Sequence, residues 1–342
     1  MIPAASDPTQ IVTQSPSHAE PWQRAWRDAI TDPHVLLQAL GLANEHVRYS
    51  ASAQQMFRLR VPRGFLARMR YGDPDDPLLR QVLPIAAETQ SIAGFLADAV
   101  GDSQATIEPG VLRKYHGRAL LIATGSCAIH CRYCFRRHFP YADNNAARNR
   151  WAAALAAVAA DPQIEEVILS GGDPLSLATD KLHQLTDALR AIPHVRRLRV
   201  HSRLPIVLPE RIDAPFIDWL ARLPWPATFV IHANHANEFD AAVDTALARI
   251  RATGVHLFNQ AVLLRGINDS VDALASLSTR GFASGVIPYY IHQLDRVAGA
   301  AHFAVSDTKA RTLLTALRKR LPGYLVPKLV REIPGHASKT PL

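Results

Sequence analysis

Glu166-Val-Ile-Leu-Ser-Gly-Gly-Asp-Pro-Leu175 is the stretch on which the fold turns. A short β-branched and apolar run stops at a Gly-Gly-Asp-Pro turn, and a helical pattern follows over 177–191. Strand, turn, helix is a βα unit. From about residue 115 the same unit recurs every ~30 residues, the length of a βαβ element. Candidate strands are Ala119–Thr124, Glu166–Ser170, Arg197–His201, Thr228–His232, His256–Leu264, Val286–His292 and Tyr324–Val330. Helical patterns separate them near 145–160, 177–191, 210–222, 237–253, 270–280 and 306–320. Such alternation predicts an α/β fold, with a parallel sheet and right-handed crossovers closing into a full or partial barrel. In barrels of this kind the site is built where loops leave the C-terminal ends of the strands. Ionisable and polar residues gather there in every unit, as in His201-Ser-Arg203, His232-Ala-Asn-His235 and His292-Gln-Leu-Asp295.

The chain divides accordingly. Residues 1–20, rich in Ser, Pro, Ala and Gln, read as a flexible arm. Residues 21–110 read as a mostly helical N-terminal region, with an extended piece at Met56–Pro62 and a loop at Asp73–Pro77. The barrel occupies 111–320, and 321–342 is a C-terminal segment. Composition is that of a globular protein: 342 residues, 48% hydrophobic and 20% charged, which excludes collagen-like, disordered and disulfide-framework classes. The apolar run Ala152–Ala160 is far short of the ~20 residues of a membrane span, and the first residues carry no secretory pattern. A cytoplasmic location is expected. Lys and Arg number 38 against 30 acidic residues, a net charge of +8 that favours anionic partners without choosing among them.

The cysteines are more telling. All three, Cys127, Cys131 and Cys134, lie within eight residues, in the loop after the first barrel strand. Structural zinc takes four closed ligands, so His130 or His138 would have to complete such a site. An iron–sulfur cluster also takes four ligands, and three thiolates leave one iron open to bind something else. Ser170-Gly171-Gly172-Asp173 ends the second strand; its glycines let backbone approach a ligand closely, although the same residues make an ordinary turn.

Cys127-Ala-Ile-His-Cys131-Arg-Tyr-Cys134-Phe resembles the signature of radical S-adenosylmethionine enzymes. The resemblance implies a 4Fe-4S cluster held by the three cysteines, S-adenosyl-L-methionine chelated to the open iron, and Ser170, Gly171, Gly172 and Asp173 at the methionine amino group. It then narrows. From about residue 21 the chain resembles the lysine 2,3-aminomutase family, through CRYCFRRHF, VILSGGDPL, HSRLPIVLPERI, HANHANE, FNQAVLLRGIND, PYYIHQLD and the terminal PGHASKTPL. That family implies a radical S-adenosylmethionine partial (β/α)6-type barrel whose mouth the C-terminal segment closes. It also implies isomerase chemistry with pyridoxal 5′-phosphate, converting L-α-lysine to (R)-β-lysine.

By the same resemblance Lys339 carries pyridoxal phosphate as a Schiff base, and Lys114, Tyr115 and Arg118 lie near its ring and phosphate. Lys114 stands where the family has arginine. Asn259 and Gln260 sit near the phosphate and S-adenosylmethionine. Arg136 pairs with the substrate carboxylate, a task suited to a planar bidentate donor, and Asp295 and Glu332 receive its distant ammonium. Glu332 is one methylene longer than the family's aspartate. A lysine so near the C-terminus is otherwise expected to be a solvated, unattached side chain. His232 and His235 read as hydrogen-bonding barrel residues rather than metal ligands.

Clostridial-type members carry a cysteine-bearing, zinc-binding C-terminal extension, whereas no cysteine follows Cys134 here. The short form resembles the branch that supplies (R)-β-lysine to elongation factor P, where a separate ligase attaches it. A flavodoxin- or ferredoxin-type electron donor is expected; a membrane or nucleic-acid partner is not. Three rival readings are an aminomutase for ornithine or arginine, a radical enzyme that modifies RNA, and a zinc-stabilised nucleic-acid-binding protein. No RNA-binding module is visible beside the barrel, and two carboxylates for a distal cation disfavour glutamate as substrate.

Overall fold

The structure is a computed structural model that describes residues 21–144, 147 and 151–342. The expected arm at 1–20, and the start of the helical pattern at 145–160, lie outside the described residues. Ten strands form one sheet in sequence order. They are β1 (Thr106–Glu108), β2 (Val111–Leu112), β3 (Arg118–Thr124), β4 (Glu166–Gly171), β5 (Arg197–Ser202), β6 (Ala227–Ile231), β7 (His256–Leu263), β8 (Ile287–Gln293), β9 (Lys328–Arg331) and β10 (Thr340–Pro341).

From β3 to β9 every neighbouring pair is parallel, while β1–β2, β2–β3 and β9–β10 are antiparallel. Parallel neighbours need long crossovers. The chain supplies them as helices at Ala152–Ala160, Thr179–Arg190, Ala214–Ala221, Ala241–Ala252, Val271–Ala283 and Asp307–Arg320. β1 and β10 remain the two ends of the ladder, so the barrel is open. The seven strands expected from sequence are β3 to β9, with ends displaced by a few residues at most. The last is the least regular, because Gly323–Leu325 forms a turn of 3₁₀ helix before β9.

Each crossover helix buries one stripe on the sheet. In Thr179–Arg190 the apolar positions Leu182, Leu185 and Leu189 recur at three- and four-residue spacing, and all are fully buried. Asp213, Asp240, Ser270 and Ser306 cap four of the helices through their side chains, satisfying amide donors that a helix start leaves unpaired.

The N-terminal region is less helical than its sequence predicts. Its helices are short, of seven residues at most, and it adds β1 and β2 to the sheet. Met56–Pro62, expected to be extended, leaves a helix at Met56 and bridges Val61 to Ile30. The N-terminal region then lies over the cysteine loop: His130 N donates to Arg60 O at 3.1 Å and Arg132 N to Gln81 O at 2.9 Å. At the other end, Thr340 and Pro341 pair with Arg331 and Val330. This return hairpin carries Lys339 back to the barrel instead of leaving it in solvent.

Candidate active site

The loop after β3 and the turn after β4 meet backbone to backbone. Gly172 N donates to Thr124 O at 2.7 Å and Asp173 N to Ser126 O at 2.8 Å. A Cβ on Gly172 would stand 2.4 Å from Ser126 O, and one on Gly171, whose φ is +127°, 2.4 Å from Thr124 O. Both glycines are therefore required sterically by the approach of the cysteine loop. Asp173 braces the same junction: its carboxylate accepts from Leu175 N, Ser202 Oγ, Arg203 N and Leu204 N at 2.7–3.2 Å. Expected at a cofactor, Asp173 is occupied by the protein itself.

Cys127, Cys131 and Cys134 are part-buried and line one cavity of about 480 Å³. Burial, with Asp173 beside it, pushes the Cys127 thiol well up. Burial and then Cys131 push Cys134 up to about 11. Such sulfurs call for positive charge. Among the described residues no three His, Cys, Asp or Glu side chains converge on a single ion. A cubane cluster asks for a different arrangement, with one thiolate for each of three irons, and the donor set suits it. The histidines that a zinc site would need are engaged elsewhere. His130 Nδ1 is 2.7 Å from Arg58 O and its ring stacks on Phe57; His138 Nε2 is 3.0 Å from Ala298 O. His235 caps its own turn through Nδ1.

Beneath the loop lies a buried ionic knot. Arg132 makes a bidentate pair with Glu88 at 2.6 and 2.9 Å, and Arg137 Nη2 donates to the same carboxylate at 2.8 Å. Both guanidiniums also lie about 5 Å from the Phe57 ring centroid. Removing one partner of a buried pair costs about 3–5 kcal/mol. Glu88→Gln is accordingly expected to lower thermal stability on that scale and to impair iron retention; an unchanged melting temperature would contradict the role assigned to Glu88. On the other side Arg203 Nη1 donates to Cys131 Sγ at 2.7 Å and its Nη2 to Gln81 and Glu238 at 2.8 and 3.0 Å.

The cavity that holds the cysteines also holds Arg136, Asp295, Glu332 and Lys339. Lys339 Nζ is 2.7 Å from Glu332 Oε2, and Lys114 Nζ is 2.9 Å from Oε1. These two ammonium groups hold Glu332 down at about 2 against its burial. Asp295 forms no ion pair among the described residues; burial, and then the Glu332 charge, push it up to about 7 against the more distant Lys339 and Lys114. The Tyr115 hydroxyl is raised by burial and by Glu332, and Arg118 stacks on its ring at 5.0 Å.

Five buried polar atoms in cavity-lining residues have no hydrogen bond among the described residues: Arg118 Nε, Arg137 Nε, His201 Nε2, Arg203 Nε and His292 Nε2. Burial pushes His201 and His292 well below the ordinary imidazole range. Basic residues, orphaned polar atoms and a lysine in one cavity fit an anionic, ring-bearing group such as pyridoxal phosphate.

Most of the expected site residues meet in this cavity, but Asn259 does not. Its amide clamps the backbone of Ala233, with Ala233 N donating to Oδ1 at 2.9 Å and Nδ2 to Ala233 O at 3.1 Å. Gln260, the next residue on β7, lines the cavity, because successive strand side chains face opposite ways.

Sequence reasoning missed Asp102, which is 2% exposed and bonded to Arg136, and gave no role to His201, Arg203 or His292. The last three stand at strand ends, where a signal existed. For Asp102 no local signal exists, since its partners are brought by the tertiary fold.

A family profile described as a 4Fe-4S single cluster domain matches residues 116–197. The chain is 50% identical over 333 residues to the L-lysine 2,3-aminomutase of Escherichia coli (strain K12), covering 97% of each protein. To the L-lysine 2,3-aminomutase of Haemophilus influenzae it is 43% identical, over 97% of this chain and 98% of that one. Among solved structures it resembles a radical SAM methyltransferase from Sphaerobacter thermophilus, with a TM-score of 0.45 and 18% identity over 65% of this chain and 68% of the other.

Proposed function

The chain belongs to the L-lysine 2,3-aminomutase family of radical S-adenosylmethionine isomerases, and from that premise we propose that it converts L-α-lysine to (R)-β-lysine with the help of pyridoxal 5′-phosphate. The observation that carries the reading is one cavity that brings together Cys127, Cys131, Cys134, Arg136, Asp295, Glu332 and Lys339. When bound, the cluster and S-adenosylmethionine supply hydrogen abstraction, and the pyridine ring of pyridoxal phosphate delocalises unpaired spin.

In this reading Cys127, Cys131 and Cys134 hold the cluster, and the Ser170–Gly172 turn presents backbone to S-adenosylmethionine. Lys339 anchors pyridoxal phosphate, while Lys114, Tyr115, Arg118 and Gln260 surround it. Arg136 spends Nε on Asp102 at 2.7 Å and Nη1 on Ser170 at 3.2 Å. Among the described residues its second terminal nitrogen has no hydrogen bond, which leaves a charged donor for the substrate carboxylate. The Asp295 carboxylate forms no ion pair among the described residues, and a distal ammonium relieves the cost of its burial. Glu332 joins it once Lys339 is engaged elsewhere. Leu112, Leu120, Ile168 and Leu294 line the same space and exclude water.

The test is anaerobic reconstitution with iron and sulfide, followed by pyridoxal phosphate, S-adenosylmethionine, a reductant and L-lysine. β-Lysine that depends on every component is the expected result. 5′-Deoxyadenosine without β-lysine would keep the radical chemistry and move the substrate to ornithine or arginine. A colourless protein holding tetrahedral zinc would end the reading.

Beyond the reaction, we assign the product to the β-lysylation of elongation factor P by a separate ligase, and the reductant to a flavodoxin or ferredoxin. The elongation factor P branch rests on family resemblance alone. Mass measurement of elongation factor P incubated with this enzyme and the ligase checks it. Among the described residues no helix is long and apolar enough to cross a membrane, and we place the reaction in the cytoplasm.

A further inference from the structure

We infer that Asp102 is the positioning residue that sets the carboxylate-binding arginine and the lysine-bearing tail in register, so that both ends of a dibasic amino acid are held at once. The inference rests on the functional reading above. Asp102 stands in the N-terminal region, outside the strands that carry the cysteines, yet its carboxylate divides between the two halves of the site. Oδ2 accepts from Arg136 Nε at 2.7 Å, and Oδ1 is 2.6 Å from Lys114 Nζ. Lys114 passes the link to Glu332 Oε1 at 2.9 Å, and Glu332 to Lys339 at 2.7 Å. The result is an alternating chain of charges from Arg136 through Asp102, Lys114 and Glu332 to Lys339.

A carboxylate only 2% exposed between two cations fixes both in orientation. The backbone around it is fixed as well. Asp98 accepts from the amides of Asp102 and Ser103, both at 2.9 Å, and Lys114 Nζ donates to Val100 O at 2.9 Å. Gly101, at φ +68°, lies so close to the tail that an added Cβ would stand 3.0 Å from Pro334 Cβ. The segment therefore abuts the hairpin bearing Glu332 and Lys339 and is joined to it through Lys114. Arg136 donates to Asp102 along one edge, so its remaining nitrogen is aimed by that contact rather than by the substrate. Preorganisation of this kind lowers the cost of capturing a ligand at both ends.

The test compares two ligands on protein carrying cluster and pyridoxal phosphate but left unreduced, so that binding is read without turnover. L-Lysine has both ends; 1,5-diaminopentane lacks the carboxylate. Calorimetry measures each affinity, and the pyridoxal absorption band reports attachment to Lys339. Asp102→Asn is expected to weaken L-lysine by about tenfold or more, the scale of one unpaired buried charge. It should weaken 1,5-diaminopentane less and slow pyridoxal attachment, while iron and sulfide content stay at wild-type levels. Asp102→Glu should restore part of the difference between the ligands. Equal weakening of both ligands, the mark of a general packing role, would overturn the inference, as would no change at all.

If Asp102→Asn fails to hold a cluster, Lys114→Gln serves in its place. It cuts the link to Glu332 and leaves Arg136 its partner, so it should slow pyridoxal attachment and weaken both ligands; wild-type behaviour there overturns the inference. Wild-type protein that attaches no pyridoxal phosphate at all overturns the functional reading and the inference together.

Discussion

Cys131→Ala yields a chain that folds and holds no cluster: iron and sulfide fall to background after reconstitution, and no 5′-deoxyadenosine appears with S-adenosylmethionine and reductant. The expectation follows from ligand count. With three thiolates each iron but one has a protein ligand; with two, a second iron is exposed to exchange and oxidation. Survival of the fold is argued separately. Cys131 is part-buried at the edge of the main core, and its loop is pinned by backbone bonds that alanine keeps, among them Cys134 N to Cys131 O at 3.0 Å. Arg203 loses the sulfur but keeps Gln81 and Glu238 at 2.8 and 3.0 Å. A small side chain removed from a half-buried place costs about 1 kcal/mol, so the melting temperature of the apo-protein should barely move. Iron retained at the wild-type ratio would sink the assignment of Cys131 as a ligand.

The barrel was legible because its signals are local. β4 and β6 are short, mostly apolar runs bounded by turn residues, β5 alternates Leu198 and Val200 with polar residues, and the helices between them show a 3.6-residue stripe. β1 and β2 were not legible, since strands of three and two residues are too short to show a period. Lys339 marks a different limit. Nothing in PGHASKTPL requires a strand, and the hairpin exists because β9 offers an edge to Thr340 and Pro341. Family resemblance brought that lysine to notice; local physics argued against it.

Asn259 shows the converse. A polar residue on a strand was expected at a ligand, and its amide instead clamps the backbone of Ala233, just past the end of β6. Which of Asn259 and Gln260 faces the cavity depends on where the register shifts between them, a property of the strand pair that neither strand's sequence carries. Asp102 is the extreme case, an aspartate whose neighbours in sequence give no hint of Arg136 or Lys114.

Lys339→Ala separates the two cofactors. The expected protein carries a full complement of iron and sulfide, shows no pyridoxal absorption that survives dialysis, and gives no adduct with borohydride. Its β-lysine formation falls by ~10²–10⁴-fold, the contribution usual for one placed catalytic group. The cluster is spared because, among the described residues, Lys339 forms no hydrogen bond or ion pair with the cysteine loop; it pairs with Glu332 at 2.7 Å and faces Tyr290 at 6.0 Å. The tail is spared because Thr340 and Pro341 pair through backbone. Glu332 loses one of two cations and keeps Lys114.

Alanine alone leaves an ambiguity, because it deletes both an ion pair and an amine. Lys339→Arg resolves it. A guanidinium preserves the charge opposite Glu332, yet its proton is not given up at any working pH, so it cannot condense with an aldehyde. If Lys339 matters as the covalent anchor, arginine fails as badly as alanine while the melting temperature returns toward wild type. If it matters only as the counterion of Glu332, arginine restores activity along with stability, and the pyridoxal anchor must then be sought elsewhere in the cavity.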